Sequence, residues 1–253
     1  HIESETGRAT HYQHAPDNPN SLSQNQLRSI FRDRSGALWF GTSGGGLDRF
    51  DPATETFTHF RHDPDDPTSI SHDFIRFTFE DSLGMIWVGT QGGGLNRLDP
   101  ATGAFTCFRH DPNDPTTIAT DHVFAVVEGA DGVMWFGTFG GGLNRFDREA
   151  GSFKRYRTGD GLAADSVYAM LQDDNGMLWI STTMGLSRFD PHTEQFRNFD
   201  VRDGLQSNEF NGGSAYRSAS GEMFFGGIKG FNSFFPDEID INPVVPTVDI
   251  TDL

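Results

Sequence analysis

Histidines are the residues of this 253-residue chain whose side chains could most readily support catalysis or bind a metal ion. Imidazole transfers protons and ligates metals, and the chain has nine histidines. Five of them recur at corresponding positions of an internal repeat: His11, His14, His59, His62 and His110. Because these positions fall on or beside the last strand of the repeat and lie about one repeat apart, we expect surface or edge residues rather than one shared site.

No residue pattern of a known catalytic site stands out against the repeat background. This holds for a Ser-His-Asp triad, for paired catalytic carboxylates and for a His-x-x-His element. The acidic loops 63–67 and 111–115 resemble oxygen-rich calcium loops, but they lack the alternating ligand spacing and the terminal glutamate of an EF-hand. We therefore predict no catalytic residues, no metal site and no cofactor, and we interpret both loops as proline-stiffened connections.

Tryptophan occupies one position of the repeat four times, as Trp39, Trp87, Trp135 and Trp179. An indole face could stack on a sugar ring. Because these residues recur at one strand position in every good copy, we predict that they form the core between neighbouring sheets.

Glycine triplets follow the first three tryptophans, at 44–46, 92–94 and 140–142. A phosphate-binding loop would need a helix and a lysine after the glycines, and neither pattern follows here. We predict turns that need the conformational freedom of glycine.

The repeat itself indicates the fold. Its copies lie 48, 48, 44 and 45 residues apart, counting a degenerate fifth copy at Phe224. Each contains four segments of alternating apolar and polar residues, here called strands a to d, joined by turns rich in Asp and Gly. Four antiparallel strands at this period are typical of a β-propeller blade. The predicted fold class is therefore all-β, a β-propeller of five four-stranded antiparallel blades.

The ends of the chain predict how the blades are arranged. We place the propeller at 1–240, with blades at about 21–62, 69–110, 117–158, 163–201 and 207–235. Residues 8–14 resemble an isolated strand d, and the last copy lacks one, so we expect the N-terminal strand to complete the last blade and close the propeller. Residues 241–253 are expected to begin a following module or linker.

The charge, the cysteine count and the hydropathy of the chain argue against some partners and against a disulfide. The formal net charge is −17 and the chain has only two lysines, Lys154 and Lys229, which argues against a nucleic-acid partner. Cys107 is the single cysteine, so an intrachain disulfide is impossible. With no run of about 18 apolar residues, this segment is not expected to contact a membrane directly.

The repeated motif Gly-x-Leu/Ile/Met-Trp-x-Gly-Thr-x-x-Gly-Gly-Leu-x-Arg-Phe-Asp resembles the two-component regulator propeller repeat. The resemblance covers essentially the whole chain, and residues 208–211, 221–227 and 234–239 resemble the last blade of that family. Residues 242–253 look like the opening strand of the immunoglobulin-like module that usually follows. The chain departs from the family in showing five repeats, where seven-bladed propellers are common. Either the five blades close, which the sequence favours slightly, or they form an arc of a larger propeller.

This resemblance implies the sensor region of a bacterial hybrid two-component histidine kinase, in the periplasmic or extracellular part of an inner-membrane receptor. It implies an oligosaccharide ligand and a homodimeric full receptor, with no enzymatic activity. Two alternatives stay open: a propeller enzyme, such as a polysaccharide lyase or glycosidase, and a structural or protein-interaction propeller without a small ligand.

Candidate ligand-binding residues are found where the repeats disagree, because packing leaves those positions free to vary. They lie on strand a and in the loop between strands b and c, which should converge at one end of the propeller axis. The predicted ligand-binding residues are Arg28, Arg76, Gln91, Phe124, Phe139 and Tyr168; Ser43 and Met184 also vary there. Two arginines near the axis would suit a carboxylated or sulfated sugar.

Overall fold

The computed structural model describes residues 9–239. Within that range, nineteen β-strands form five antiparallel sheets. Three short 3-10 helices lie outside the strands, at Thr158–Asp160, Val201–Asp203 and Pro236–Glu238. Each sheet contains strands that are consecutive in sequence, as expected of propeller blades. The predicted fold class, an all-β propeller of five antiparallel blades, is confirmed.

The strands follow the order of the repeats. Those of the first blade are β1 (Leu27–Arg32), β2 (Leu38–Thr42), β3 (Leu47–Asp51) and β4 (Thr56–Phe60); those of the second, β5 (Ile75–Glu80), β6 (Ile86–Thr90), β7 (Leu95–Leu98) and β8 (Phe105–Phe108); those of the third, β9 (Val123–Glu128), β10 (Met134–Thr138), β11 (Gly142–Asp147) and β12 (Ser152–Tyr156). The fourth blade contains β13 (Val167–Gln172), β14 (Leu178–Thr182), β15 (Gly185–Asp190) and β16 (Gln195–Phe199), and the fifth β17 (Phe210–Arg217), β18 (Met223–Gly227) and β19 (Gly230–Phe234). The first strands of neighbouring blades contact one another, which places strand a nearest the axis.

The tryptophans are core residues. Each of the four is at most 2% exposed. Trp87 stacks on Phe108 of its own blade, with ring centroids 5.8 Å apart, and packs edge-on against Phe146 of the next blade at 5.2 Å. Burial between two sheets leaves no face for a ligand, so the prediction of an inter-blade core is confirmed and sugar stacking on these rings is excluded.

An aspartate in the turn between strands a and b fixes the tryptophan. The carboxylate of Asp81 accepts hydrogen bonds from the indole Nε1 of Trp87, at 2.8 Å, and from the backbone N–H of Met85, at 2.9 Å. Asp33 and Asp173 hold Trp39 and Trp179 in the same way. One side chain thus closes the hairpin turn and orients the core residue.

The last glycine of the triplet is required by close packing. Gly94 has φ +82°, and a Cβ there would collide with the carbonyl oxygen of Phe108. Gly46 is held in the same conformation against the carbonyl of Phe60. Glycine tolerates both a positive φ and this close backbone approach, so the triplets are turns, as predicted.

The last blade differs from the prediction. Its sheet contains three strands among the described residues, in the order β17-β18-β19. Of the segment 8–14 that was expected to add a fourth, residue 8 lies outside the described residues, Ala9 makes only a single-residue bridge, and residues 10–14 form no strand. Tyr12 instead packs edge-on against Phe50 and Phe57 of the first blade, at 4.9 and 6.0 Å. The expected closure is therefore not what residues 9–239 show.

The physical reason is that the outer faces of the first and last blades have no neighbouring blade in the described range. Ile75 on strand β5 is fully buried, and its side chain lies against Gly41 of the preceding blade. Leu27 and Ile30 on strand β1 are 37% and 66% exposed. At the other end Tyr216 and Phe231 are 65% and 66% exposed. Residues 241–253, the expected start of a following module, lie outside the described residues.

Candidate ligand-binding site

The innermost strands and the loops between strands b and c meet at one end of the axis. Ser43 and Gln91, both in such loops, form isolated β-bridges with Phe74 and His122 just before strand a of the following blade. The backbone N–H of Gln91 also donates to the carbonyl of Phe74 at 3.0 Å. Phe74 therefore lies between the loops of the first and second blades.

Six side chains form a continuous stack along this end. The guanidinium carbon of Arg28 lies 5.5 Å from the centroid of the Phe74 ring. That of Arg76 lies 5.5 Å from Phe74 and 4.2 Å from Phe124. We call the whole set the axial ladder: Arg28, Phe74, Arg76, Phe124, Phe139 and Tyr168.

The stack continues through aromatic rings into the third and fourth blades. Phe124 and Phe139 are stacked, with centroids 5.5 Å apart and 29° between the ring planes. Phe139 lies 6.2 Å from Tyr168. The ladder thus crosses four blades, from β1 to β13.

The structure brings all six predicted residues to one place. Five of them belong to the axial ladder, and Gln91 contacts it through Phe74. The side-chain oxygen of Gln91 is buried without a hydrogen-bond partner. Whether a ligand binds there stays a prediction.

Phe74 is the ladder residue that was missed by sequence reasoning. It directly precedes strand β5, at a position where the repeats have Gln26, Phe74, His122 and Ser166. The variation between repeats that marks Phe74 is therefore present in the sequence, one residue before strand a.

The two arginines of the ladder have no carboxylate partner among the described residues. Arg28 donates from Nε to the hydroxyl of Ser43 at 2.7 Å, and the Nε of Arg76 is buried without a hydrogen-bond partner. Ion pairs to carboxylates are formed elsewhere, by Arg34, Arg148, Lys154, Arg202 and Arg217. Burial, with a further contribution from the Arg28 guanidinium, lowers the pKa of Arg76, although arginine stays protonated near neutral pH.

The aromatic end of the ladder is open to solvent. Phe139 is 44% exposed, and Met184, in the corresponding loop of the fourth blade, is 60% exposed. Exposed apolar side chains in these two loops offer contact area to a ligand at this end of the axis. The ladder therefore changes from cationic at the first two blades to apolar at the third and fourth.

A separate cavity of about 710 Å³ lies on the uncovered face of the first blade. Tyr12, Leu27, Ile30 and Phe40 are among its lining residues. None of the predicted ligand-binding residues lines it. It exists because, among residues 9–239, no neighbouring blade packs on this face of the first blade.

Three of the recurring histidines and the acidic loops form hydrogen bonds within the connections from strand d to strand a. Nδ1 of His62 lies 2.9 Å from the carbonyl oxygen of Ile70, and His14 and His110 make the equivalent contact. Asp66 accepts hydrogen bonds from the N–H and the hydroxyl of Thr68 at 2.8 and 2.7 Å. These side chains stabilise the connections from strand d to strand a.

Comparison with known proteins identifies the repeats. The family model described as "Two component regulator propeller" matches residues 21–44, 117–140 and 161–184. These three segments of the chain therefore match the two-component regulator propeller repeat. Each matched segment runs from just before strand a into the loop between strands b and c, so the matches contain Arg28, Phe124, Phe139 and Tyr168 of the ladder.

The relatives are much longer than this propeller domain. Histidine kinase P4 of Formosa agariphila is 37% identical over 93 residues, which are 37% of this chain and 7% of that protein. The extracellular domains of two B. thetaiotaomicron proteins, each named as a hybrid two-component system, share the fold. One aligns at TM-score 0.72 and 24% identity over 84% of this chain and 29% of its own length, the other at 0.72 and 22% over 93% and 39%. The chain thus spans less than half of each of them.

Between residues 9 and 239, no helix has the length and apolar character needed to cross a bilayer.

Proposed function

We propose that this propeller domain senses a ligand for a bacterial two-component receptor, and that the ligand is an oligosaccharide bound at the axial ladder. The similarity to a histidine kinase and to extracellular domains of two-component systems supports the receptor assignment. We place the domain on the periplasmic or extracellular side of an inner-membrane receptor for the same reason. Homodimerisation of the full receptor stays a prediction.

The single observation that carries the proposal is the ladder itself. Positions where the repeats disagree, spread from Arg28 to Tyr168 in sequence, form one contiguous stack, whereas the core positions stay uniform. Selection for a ligand acts where packing leaves residues free to change. Aromatic rings and guanidinium groups offer sugar-stacking faces and hydrogen-bond donors on one surface.

The chemistry of the ladder favours binding over catalysis. A lyase or a glycosidase needs a general base or a pair of carboxylates at the reacting bond. The ladder offers guanidinium, phenyl and phenol groups, of which the guanidinium stays protonated at neutral pH. We therefore propose a sensor without enzymatic activity.

The test is binding of defined oligosaccharides to the 253-residue chain, found on a glycan array and measured by isothermal titration calorimetry. Phe139→Ala should weaken the best neutral or acidic glycan roughly tenfold, because an exposed stacking face is lost. Leu83→Ala is the matched control, since Leu83 is 67% exposed in the turn between β5 and β6, at the other end of the blades. Equal weakening by both variants, or no weakening by Phe139→Ala, would contradict the proposed site.

A further inference from the structure

We propose that the axial ladder binds an anionic sugar in one orientation, with its acidic group on Arg28 and Arg76 and a pyranose face on Phe139 and Tyr168. This inference rests on the proposed function and specifies the class of ligand. It follows from three properties of the ladder: its uncompensated charge, the way its arginines are held, and the difference between its two ends.

The first property is uncompensated positive charge. The chain carries a formal charge of −17, with 36 aspartates and glutamates against 19 lysines and arginines. Even so, neither Arg28 nor Arg76 reaches a carboxylate among residues 9–239, while Arg148 contacts both Asp81 and Glu128. Two neighbouring guanidinium groups without a counter-charge attract an anion, and an anion between them offsets their mutual repulsion.

The second property is the position of Arg76. Its guanidinium lies over Phe74 and Phe124, at 5.5 and 4.2 Å from the ring centroids. With rings beside its faces, the group can form further hydrogen bonds only along its edge. The N–H fork along that edge matches the paired oxygens of a carboxylate or a sulfate. Because the rings hold the fork in place, less side-chain entropy is lost when an anion binds.

The third property is the change in character along the ladder. Arg28 and Arg76 are on the first strands of the first two blades, and Phe124 and Tyr168 replace them in the next two. Arg49, Arg97 and Arg188, by contrast, stack over tryptophans at one recurring position and belong to the scaffold. A ligand with an acidic group and a sugar-ring face therefore fits the ladder in only one direction.

The experiment uses calorimetry with three probes: a galacturonate trisaccharide, the same trisaccharide as its methyl ester, and a sulfated galactose trisaccharide. The acid and its ester share their rings and differ in charge. We expect at least one of the two acidic probes to bind about tenfold or more tightly than the ester, and we expect added salt to weaken only acidic probes. The preferred acidic probe assigns the anion as carboxylate or sulfate.

Substitutions of ladder residues test which side chain contacts the acidic group and which contacts the sugar ring. Arg76→Ala and Arg28→Ala should each remove most of the preference for the acidic probe, and Arg76→Lys should restore only part of it because lysine lacks the fork. Phe139→Ala should weaken acidic probe and ester alike. Arg34→Ala is the matched control, since its side chain is 60% exposed in the turn between β1 and β2, and it should leave all affinities unchanged. Circular dichroism checks that each variant is folded.

Equal affinity for acid and ester, no binding of either acidic probe, or unchanged preference in both arginine variants would overturn the inference. Its failure can be distinguished from failure of the proposed function. If neutral glycans bind and Phe139→Ala weakens them while the arginine variants do not, the sensor proposal stands and the anionic class is wrong. If no glycan binds in any arm, both are wrong.

Discussion

Arg148 donates from Nη1 to the buried carboxylate of Asp81 at 2.8 Å, although the two residues are 67 positions apart in sequence. Its Nη2 donates to Glu128 at 3.0 Å. The other complete blades have proline at this turn position, as Pro52, Pro100 and Pro191, so this link between the second and third blades occurs once.

Arg148→Met should lower the free energy of unfolding by about 2 to 3 kcal/mol, because it leaves the buried charge of Asp81 without its cation. This loss of stability is smaller than that expected for a buried charge without any partner, because Asp81 still accepts hydrogen bonds from Trp87 and Met85. Urea unfolding at pH 7 measures it. Arg34→Met removes a largely exposed pair and should cost less than 1 kcal/mol; similar losses in the two variants would contradict a structural role for Arg148.

Acid should destabilise the domain partly through Asp81. Burial raises the pKa of this carboxyl, but hydrogen bonds from Trp87, Arg148 and Met85 outweigh it, and the net pKa is lowered from 3.8. A lowered pKa means that the ionised group stabilises the native state above about pH 4 and that this contribution disappears as pH falls through the native pKa. Asp81→Asn should therefore be less stable at pH 7 and lose less stability between pH 4 and pH 2. Asp17→Asn, at an exposed position, should change the free energy of unfolding at pH 7 by less than about 0.5 kcal/mol.

Alanine substitutions at two glycines with the same φ can distinguish the cost of backbone strain from the cost of a steric clash. Gly84 and Gly94 both have φ +82°, but an added Cβ meets nothing within 4 Å at Gly84 and meets the Phe108 carbonyl at Gly94. Gly84→Ala should cost about 1 to 2 kcal/mol from conformation alone. Gly94→Ala should cost at least about 2 kcal/mol more, because backbone must move. Thermal and urea unfolding of both variants decide this, and equal losses would show that the close approach does not matter.

The fold of the repeat could be predicted because its local sequence pattern and its tertiary packing favour the same structure. Alternating residues predict strands, Asp and Gly mark the turns, and a tryptophan recurring at one position must be core, which its burial confirms. The convergence of the variable residues could also be predicted from the blade pattern. Their stacking order could not, because it depends on Phe74, which bridges to Ser43 of the neighbouring blade and brings its ring to Arg28 and Arg76.

Closure could not be predicted from the same rules. Ile30 and Met170 occupy equivalent strand positions and are both apolar, so the sequence pattern treats them alike. Ile30 is 66% exposed and Met170 is 5% exposed. The difference depends on whether a blade lies in front of the strand, which is a tertiary contact that no local pattern encodes.

Trp87 should dominate the stability of the second and third blades. Trp87→Ala removes a fully buried side chain that contacts Phe108, Phe136 and Phe146 and should cost about 3 to 5 kcal/mol. Trp87→Phe keeps most of the packing but loses the hydrogen bond to Asp81, and should cost less. Chemical unfolding of the two variants measures both. A small loss in Trp87→Ala would mean that the blades do not depend on this contact.

The uncovered face of the first blade gives the last prediction. Lysine at position 30 can extend its ammonium group into water, because Ile30 is largely exposed. Ile30→Lys should therefore change the free energy of unfolding by less than about 1 kcal/mol. Met170→Lys puts a charge at the equivalent buried position in the core of the third and fourth blades and should cost about 4 kcal/mol or prevent folding. Urea unfolding of Ile30→Lys, with Met170→Lys as the matched buried site, measures the contrast. A large loss in Ile30→Lys would show that this face is covered in solution, and closure of the propeller would then have to be reconsidered.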